Sequence, residues 1–223
     1  MSISKKQLLK LSNFPTASWA LWSEKFNKRD SMESEPEKIY PFIISHYKKL
    51  KNNIVFVGLN RSKKRGGKET IKYPKFANFH SIGHPGDGFL KQMINNYPIL
   101  TGAYMTDLSS VQESDSRKVK IENLNSFTEQ LNILSSSVYN IICFGDEVIK
   151  NIANLAGHKE TIAYEKHNDI KKIFIEHNDL KLNLYKIIHY SYAVRYNNKD
   201  RFRRQLNEIV KSISEEKKET GSG

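Results

Sequence analysis

Four short runs of apolar residues alternate along this chain with longer segments in which apolar residues recur every three or four positions. The apolar runs lie near 54–58, 101–107, 139–144 and 184–189. The longer segments lie near 87–96, 119–136, 146–156 and 199–216. Continuous apolar runs are typical of strands buried on both faces, and the longer period is that of an amphipathic helix. The alternation predicts an α/β fold of three α/β/α layers around a central, mostly parallel sheet of four strands.

The residues before the first apolar run predict a helical extension. Residues 1–52 contain two helix openings, one capped at Thr16 and one at Ser34–Glu37 that runs toward Lys51. The polar residues 27–35 between them predict a loop. An N-terminal helical extension is therefore expected to precede the α/β domain.

The α/β domain itself is expected to span residues 53–214. Within it, residues 160–177 predict an additional hairpin, whose clearer strand is 171–175. Residues 215–223 are charged and then rich in glycine and serine, so they predict a disordered tail. The last four, 220–223, resemble the remnant of an expression tag and carry no information about the fold.

The net charge narrows the range of partners. The chain carries a formal charge of +12 and has a sequence pI of about 9.5. Lysine and arginine side chains attract phosphates and release counterions when they bind, so a polyanion such as a nucleic acid is the expected partner. The alternative is a lysine-rich surface that is merely well solvated.

Cysteine usage and hydropathy exclude several classes of protein. Cys143 is the single cysteine, which excludes an internal disulfide, a cysteine-ligated zinc site and an iron–sulfur cluster. No apolar run reaches the length of a membrane span, and the N-terminus lacks the apolar region of a signal peptide. We expect a cytoplasmic protein without membrane contact, which is a monomer and needs no cofactor.

Polar residues follow the first and the last predicted strands. They are Gly58-Leu59-Asn60-Arg61-Ser62 and His189-Tyr190-Ser191-Tyr192. Ligands of open α/β sheets bind beyond the carboxyl ends of the strands, so both motifs are expected at one rim. An amide there could hold a water, and an imidazole could stabilise negative charge on a leaving group even when neutral. The alternatives are an ordinary strand-to-loop turn and a structural histidine.

Cationic and aromatic residues continue both motifs. Lys63, Lys64 and Arg65 form a basic loop after the first motif, and Arg195 follows Tyr192 after the last. At the rim of the sheet such residues could grip DNA phosphates, although a basic run can also be simply solvated.

One pair of histidines has a spacing that suggests metal binding. His80 and His84 are four residues apart, but the glycine and proline around them argue against a helix. No third ligand is evident nearby, so we expect no metal site.

Five motifs, taken in order, resemble those of the uracil-DNA glycosylase superfamily. They are Val57-Gly58-Leu59-Asn60-Arg61-Ser62, Phe76-Ala77-Asn78-Phe79-His80, Tyr104-Met105-Thr106-Asp107-Leu108, Ile142-Cys143-Phe144-Gly145 and His189-Tyr190-Ser191. The resemblance covers about residues 53–210 and excludes the N-terminal extension. Because the cysteine count excludes the iron–sulfur branches, the chain is most similar to the mismatch-specific branch, whose first motif also carries asparagine.

The resemblance implies a monofunctional glycosylase that flips a base out of DNA and hydrolyses its N-glycosidic bond. By the resemblance, Asn60 would position the attacking water and His189 would stabilise the departing base. Phe79 would stack on the flipped base, and Gly58 and Leu59 would line its pocket.

The same resemblance implies a set of DNA contacts. Ser191 would contact a backbone phosphate, and Tyr192 with Arg195 would lie in or near the gap left by the base. Arg61, Lys63, Lys64 and Arg65 would contact the DNA beside the first motif.

Departures from the family pattern bear on which base is excised. Ser62 stands where uracil-specific members have a tyrosine that blocks substituents at C5 of the pyrimidine, and Asp107 stands where they have an asparagine. An ionised aspartate only accepts hydrogen bonds, so it suits the N4 amino group of cytosine. Arg61 and Tyr190 replace two prolines and could alter loop shape.

These departures predict a C5-modified cytosine as the substrate. Excision of plain cytosine would destroy the host genome, and hypermodified cytosines are a feature of some phage DNAs. An antiviral role therefore follows as a hypothesis. The alternatives are a uracil or mismatch repair glycosylase, a non-catalytic protein that binds DNA bases, and an unrelated α/β enzyme that processes nucleotides.

Overall fold

The computed structural model describes residues 3–23, 36–61, 74–81, 84–113, 115–157, 165–167 and 170–220. Within these residues, seven strands form one sheet. They are β1 (Ser18–Trp19), β2 (Ile54–Arg61), β3 (Tyr104–Gln112), β4 (Val138–Phe144), β5 (Glu165–His167), β6 (Ile170–His177) and β7 (Leu180–Ile187). Their spatial order is β1-β3-β2-β4-β7-β6-β5.

The centre of the sheet is parallel and its margins are antiparallel. β3, β2, β4 and β7 are parallel neighbours, whereas β1, β6 and β5 each pair antiparallel. The four predicted strands are thus present, and β5 and β6 pair antiparallel within the segment predicted to form an additional hairpin. The prediction of a four-stranded sheet is wrong because β1, β5 and β6 extend it to seven strands. β1 is too short to give a periodic signal. β6 joins β7 through Asn178 and Asp179, whose positive φ angles suit a tight hairpin turn.

Helices pack on both faces of this sheet. They are α1 (Lys5–Leu11), α2 (Ile39–Ser45), α3 (Pro85–Asn95), α4 (Asn125–Leu134), α5 (Asp146–Leu155), α6 (Tyr190–Arg195) and α7 (Lys199–Thr220). Apolar residues of α1, α2, α4 and α5 share one core with Val55 and Val57 of β2. Apolar residues of α3, α6 and α7 share a second core with Ile54 and Phe56. No helix among the described residues is both long enough and apolar enough to cross a bilayer.

The N-terminal segment differs from its prediction. α1 begins at Lys5, where Ser4 and Gln7 form a capping box, and the helix expected to open at Thr16 is absent. Instead Ser18–Trp19 pairs with β3, because burial of Trp19 against the sheet outweighs local helix signals. α2 is shorter than the predicted helix toward Lys51 and is flanked by single 3₁₀ turns. The loop expected at 27–35 lies outside the described residues.

The C-terminal helix is longer than predicted. α7 continues to Thr220, so the expectation of disorder from residue 215 onward is wrong for 215–220. The extension has tertiary support, because the Glu216 carboxylate accepts hydrogen bonds from Lys172 Nζ at 2.5 Å and Tyr185 Oη at 3.0 Å. Residues 221–223 lie outside the described part of the chain.

The connections define one crevice at the carboxyl end of the sheet. α3 follows β2 and leads to β3 on one side, whereas α5 follows β4 and leads toward β7 on the other. The two helices pack on opposite faces. The strand order therefore reverses between β2 and β4, which is where ligands bind in open α/β sheets.

Truncation of Trp19 tests whether the N-terminal segment folds with the sheet. Trp19 is fully buried, with its ring 4.9 Å from that of Tyr104 and 6.4 Å from that of Phe76. We expect Trp19→Ala to lower the free energy of unfolding by about 3–5 kcal/mol. Leu9→Ala, at a side chain 53% exposed, should change it by less than about 0.5 kcal/mol. Urea titrations of both variants measure this, and equal small changes would contradict the shared core.

Candidate functional site

A row of residues on one face of the sheet forms the floor of the candidate site. The strand registers place Asp107 of β3 beside Gly58 of β2, and Phe144 of β4 beside Ile187 of β7. Val57 pairs with Cys143, so Gly58 and Phe144 stand at the same level. Phe144 and Ile187 belong to the core shared with α3, α6 and α7, which identifies the face.

Asn60 and His189 stand one level further along the same strands. Asn60 pairs with Ser109 of β3, and His189 comes two residues after the last residue of β7. Only β4 separates β2 from β7, and it ends at Phe144. The strand order therefore places Asn60 and His189 at the same end of the sheet, with the end of β4 between them. Between them, the Phe144 side chain is buried and packs against the rings of His189 and Tyr190.

The side chain of Asn60 has a defined orientation. Its Nδ2 donates to the main-chain oxygens of Glu113 at 2.7 Å and Arg61 at 3.0 Å. Main-chain carbonyls only accept hydrogen bonds, so the group that faces them must be the NH₂. The amide oxygen is then the atom that can accept a hydrogen bond from a water.

The tautomer of His189 is equally defined. His189 caps the N-terminus of α6, and its Nδ1 accepts a hydrogen bond from the Ser191 N–H at 3.2 Å. A neutral ring that accepts at Nδ1 carries its proton on Nε2. Its ring centroid lies 4.5 Å from that of Tyr190 and 5.8 Å from that of Phe144. The resulting loss of hydration lowers the pKa of His189 to about 4, so the ring is a neutral donor near pH 7.

Phe79 is buried against Phe144 and Tyr190 and lies on a strained loop. Phe76 and Phe79 have φ angles of 62° and 63°, in a region that bulky side chains rarely adopt. A Cβ atom at Gly58 would lie 3.6 Å from Cζ of Phe79, so the aromatic ring reaches the floor of the site. Strain of this kind persists where surrounding contacts enforce it and is frequent at functional sites.

The N-terminal segment supplies the contacts that enforce this loop. Ser18 Oγ donates to the main-chain oxygens of Phe76 at 2.9 Å and Asn78 at 2.5 Å. Asn78 Nδ2 donates to the Thr16 main-chain oxygen at 3.1 Å. The segment that lies outside the family resemblance thus holds the residues at the site.

Asp107 is buried at the other end of the floor, with 4% of its surface exposed. Its Oδ2 accepts a hydrogen bond from Asn78 Nδ2 at 2.8 Å, and a Cβ at Gly58 would collide with its Oδ1. Burial raises the pKa of Asp107 to about 7, while the Asn78 hydrogen bond and the Arg61 charge oppose the rise and Asp87 adds to it. The sequence-based assumption of a fully ionised Asp107 is therefore wrong near neutral pH.

Sequence reasoning missed a second carboxyl with a raised pKa, that of the half-buried Asp87. Asp87 accepts hydrogen bonds from the Ser81 N–H at 3.0 Å and from the hydroxyl of Tyr190. Burial raises its pKa to about 6. In the sequence Asp87 is an ordinary acidic residue in a first helical turn. The environment of Asp87 depends on the close packing of α3 against α6. These helices approach so closely that a Cβ at Gly86 would lie 2.7 Å from Ser191 Oγ.

Two predicted site residues lie elsewhere than expected. The Leu59 side chain packs against the core on the opposite face from Gly58, so it does not line the pocket. Arg61 is only 6% exposed and acts on Asp107 through its charge, so it is not available to a DNA phosphate. Because successive side chains of a strand point to opposite faces, Leu59 and Gly58 lie on different sides of the sheet. The register of β2 against β3 shifts between Asn60 and Arg61, where the Arg61 side chain is buried.

The remaining predicted residues divide between the surface and the undescribed loop. Tyr192 and Tyr196 are 49% and 55% exposed, with ring centroids 4.5 Å apart, and Arg195 is exposed beside them. Ser191 is partly buried where α6 meets α3. Predictions for Ser62, Lys63, Lys64 and Arg65 fall outside the described residues.

The two histidines with metal-like spacing have separate structural contacts. His80 is buried, its Nε2 donates to the Trp19 main-chain oxygen at 3.0 Å, and burial lowers its pKa to about 4. His84 caps α3, with Nδ1 accepting from the Gly86 N–H at 3.2 Å. This is the same capping geometry as at His189.

The four groups around the floor suit chemistry on a heterocyclic base. An amide oxygen can hold a water, a neutral imidazole can donate to a developing anion, a carboxyl can read a base edge, and an aromatic ring can stack. The chain matches no protein family model and no curated protein.

The raised pKa of Asp107 predicts a pH-dependent stability. The unfolded carboxyl ionises near 3.8 and the folded one at about 7, so the stability that it contributes is lost as pH rises through this window. The free energy of unfolding of Asp107→Asn, relative to the parent protein, should increase between pH 4 and 7 by up to roughly 4 kcal/mol. Urea unfolding at pH 4, 5.5, 7 and 8 measures this difference.

Asp146→Asn is the control of opposite sign. Burial tends to raise the pKa of Asp146, but the hydrogen bond and charge of Lys186, at 2.7 Å, together with Lys171, lower it. Its contribution is present above the unfolded pKa and lost on acidification. We therefore expect Asp146→Asn to have a lower free energy of unfolding than the parent protein at neutral pH. If the difference in unfolding free energy between Asp107→Asn and the parent did not change with pH, the burial of a neutral Asp107 carboxyl would be contradicted.

Proposed function

We propose that the protein is a monofunctional DNA glycosylase, related to the uracil-DNA glycosylase superfamily, that flips a modified pyrimidine and hydrolyses its N-glycosidic bond. One observation carries this proposal. Asn60, Phe79, Asp107 and His189 come from four separate segments, and each has a role implied by the family resemblance. All four border one face of the sheet at the crevice where the strand order reverses. This grouping supports the proposal.

Base flipping would use the features around this crevice. The charge of +12 favours association with DNA through its phosphates. The exposed Tyr192, Tyr196 and Arg195 on and just after α6 lie next in sequence to His189 and could stack in the gap that the base leaves. Contacts with Phe79 inside the pocket would offset the cost of unstacking.

Hydrolysis would then proceed with the residues in defined protonation states. The bond between C1′ and N1 breaks, and its electron pair goes to the base. The Nε2–H of neutral His189 stabilises the negative charge that develops on the base. A water that donates to the amide oxygen of Asn60 attacks C1′ and gives one proton to solvent, the released base takes up one proton, and an abasic site remains.

The substrate that this site favours is a C5-modified cytosine. Such bases occur in some phage DNAs, so their excision would act in antiviral defence. A carboxylate at Asp107 accepts from the N4 amino group of cytosine. A second candidate is uracil in repair, because the raised pKa of Asp107 provides a protonated form that could donate to O4.

A panel of oligonucleotides tests the proposed reaction. Single- and double-stranded DNA containing uracil, cytosine, 5-methylcytosine or 5-hydroxymethylcytosine would be incubated with the protein, and released bases identified by mass spectrometry. Release of a C5-substituted cytosine, with strand cleavage after alkali, is expected. Preferential release of uracil would overturn the cytosine assignment. Binding without any release would overturn the enzymatic proposal in favour of a non-catalytic DNA-base-binding protein.

His189→Asn separates the proposed catalytic role from helix capping. Asparagine preserves the cap on α6 but removes the Nε2–H donor, so we expect base release to slow by about 10²–10³-fold. His84→Asn is the matched control, since His84 caps α3 with the same 3.2 Å contact. It should retain activity within about threefold. Single-turnover rates measure both, and equal losses would assign His189 a structural role only.

A further inference from the structure

The carboxyl group of Asp107 presents two unequal oxygens. Among the described residues, only Asn78 donates a hydrogen bond to this carboxyl, and it does so to Oδ2 at 2.8 Å. Oδ1 lies over Gly58 on the floor of the site, in the space that a side chain at this position would fill. A proton on the carboxyl is therefore best carried by Oδ1, because Oδ2 already serves as an acceptor.

The groups that face Asp107 come from four elements and leave it without a direct ion pair among the described residues. The loop contributes Asn78, β2 contributes the charge of Arg61, α3 contributes Asp87 and α6 contributes Tyr190. The neighbouring acid and the exclusion of water favour the neutral carboxyl, and Arg61 opposes them. The balance gives Asp107 a pKa of about 7, near that of an effective general acid at physiological pH.

We propose that Asp107 acts as a general acid toward a cytosine-type base: Oδ1–H donates to N3, Oδ2 accepts from the N4 amino group, and the proton passes to N3 as the glycosidic bond breaks. This inference rests on the proposed function and deepens it. It assigns a catalytic role to the residue that the family resemblance uses only to read the base.

The proton accounting is complete with water as the only co-reactant. The electron pair of the C1′–N1 bond goes to the base, and the Asp107 proton at N3 makes the leaving base neutral. The attacking water supplies hydroxide to C1′ and releases one proton. That proton returns through solvent to the Asp107 carboxylate, so the enzyme is restored.

The need for an acid is what favours cytosine over uracil. A cytosine anion is more basic than a uracil anion and is therefore the poorer leaving group. Uracil can depart as an anion stabilised by one imidazole donor, whereas cytosine gains more from protonation. A neutral, buried carboxyl that can donate and accept side by side matches the N3 and N4 edge of cytosine.

The test is the pH dependence of single-turnover base release from an oligonucleotide containing 5-hydroxymethylcytosine. The rate should be constant below about pH 6 and fall about tenfold per pH unit above about pH 7. Asp107→Asn should slow this release at least about hundredfold at every pH. The asparagine variant should instead release uracil from a matched oligonucleotide, at a rate independent of pH between 6 and 9.

Asp87→Asn is the control that identifies the titrating group. Asparagine can still accept the Ser81 N–H bond, and the decline of rate above pH 7 should persist in this variant. A decline that disappears in Asp87→Asn, or a rate in the parent protein that is flat from pH 6 to 9, would overturn the acid role while leaving the glycosylase intact. Failure of both the parent and Asp107→Asn to release any base would overturn the proposed function itself.

Discussion

At the edge of the sheet formed by the C-terminal ends of its parallel strands, several ionisable side chains are shielded from water and have no ion-pair partner among the described residues that offsets the loss of hydration. Asp107 and Asp87 gain protons more easily than in water, and His189 loses one more easily. Desolvation is the leading cause in all three cases. Each group is shifted toward its uncharged form, in which each carboxyl can donate a hydrogen bond and His189 keeps one donor, its Nε2–H. The chemistry available at this rim follows from that single constraint.

The same constraint explains why small residues and helix ends gather here. Gly58 leaves space for the Asp107 carboxyl on the floor of the site, and Gly86 lets the first turn of α3 approach Ser191 of α6. A side chain at either position would push these elements apart and admit water. Water would then return Asp107 to its ordinary pKa, so close approach and protonation are linked.

The N-terminal residues belong to this arrangement even though they lie outside the family resemblance. Through Thr16 and Ser18 they hydrogen-bond the loop that carries Asn78 and Phe79, and Asn78 in turn donates to Asp107. A short edge strand thus fixes the aromatic and amide side chains of the site from behind. Such indirect support is typical of sites in which polar groups must be held within narrow limits.

The pattern of apolar residues was sufficient to predict the four central strands, because strands buried on both faces are apolar throughout. The same pattern predicted the helices that follow these strands. It located Asn60 and His189 close to the ends of β2 and β7, but Asp107, expected at the end of its strand, lies inside β3 because that strand continues to Gln112. It could not find β1, the full length of α7 or the burial of Arg61, which depend on partners distant in the chain. Nor could it assign charge states: only the tertiary structure, by removing water from Asp107, raised the pKa of this carboxyl to about 7.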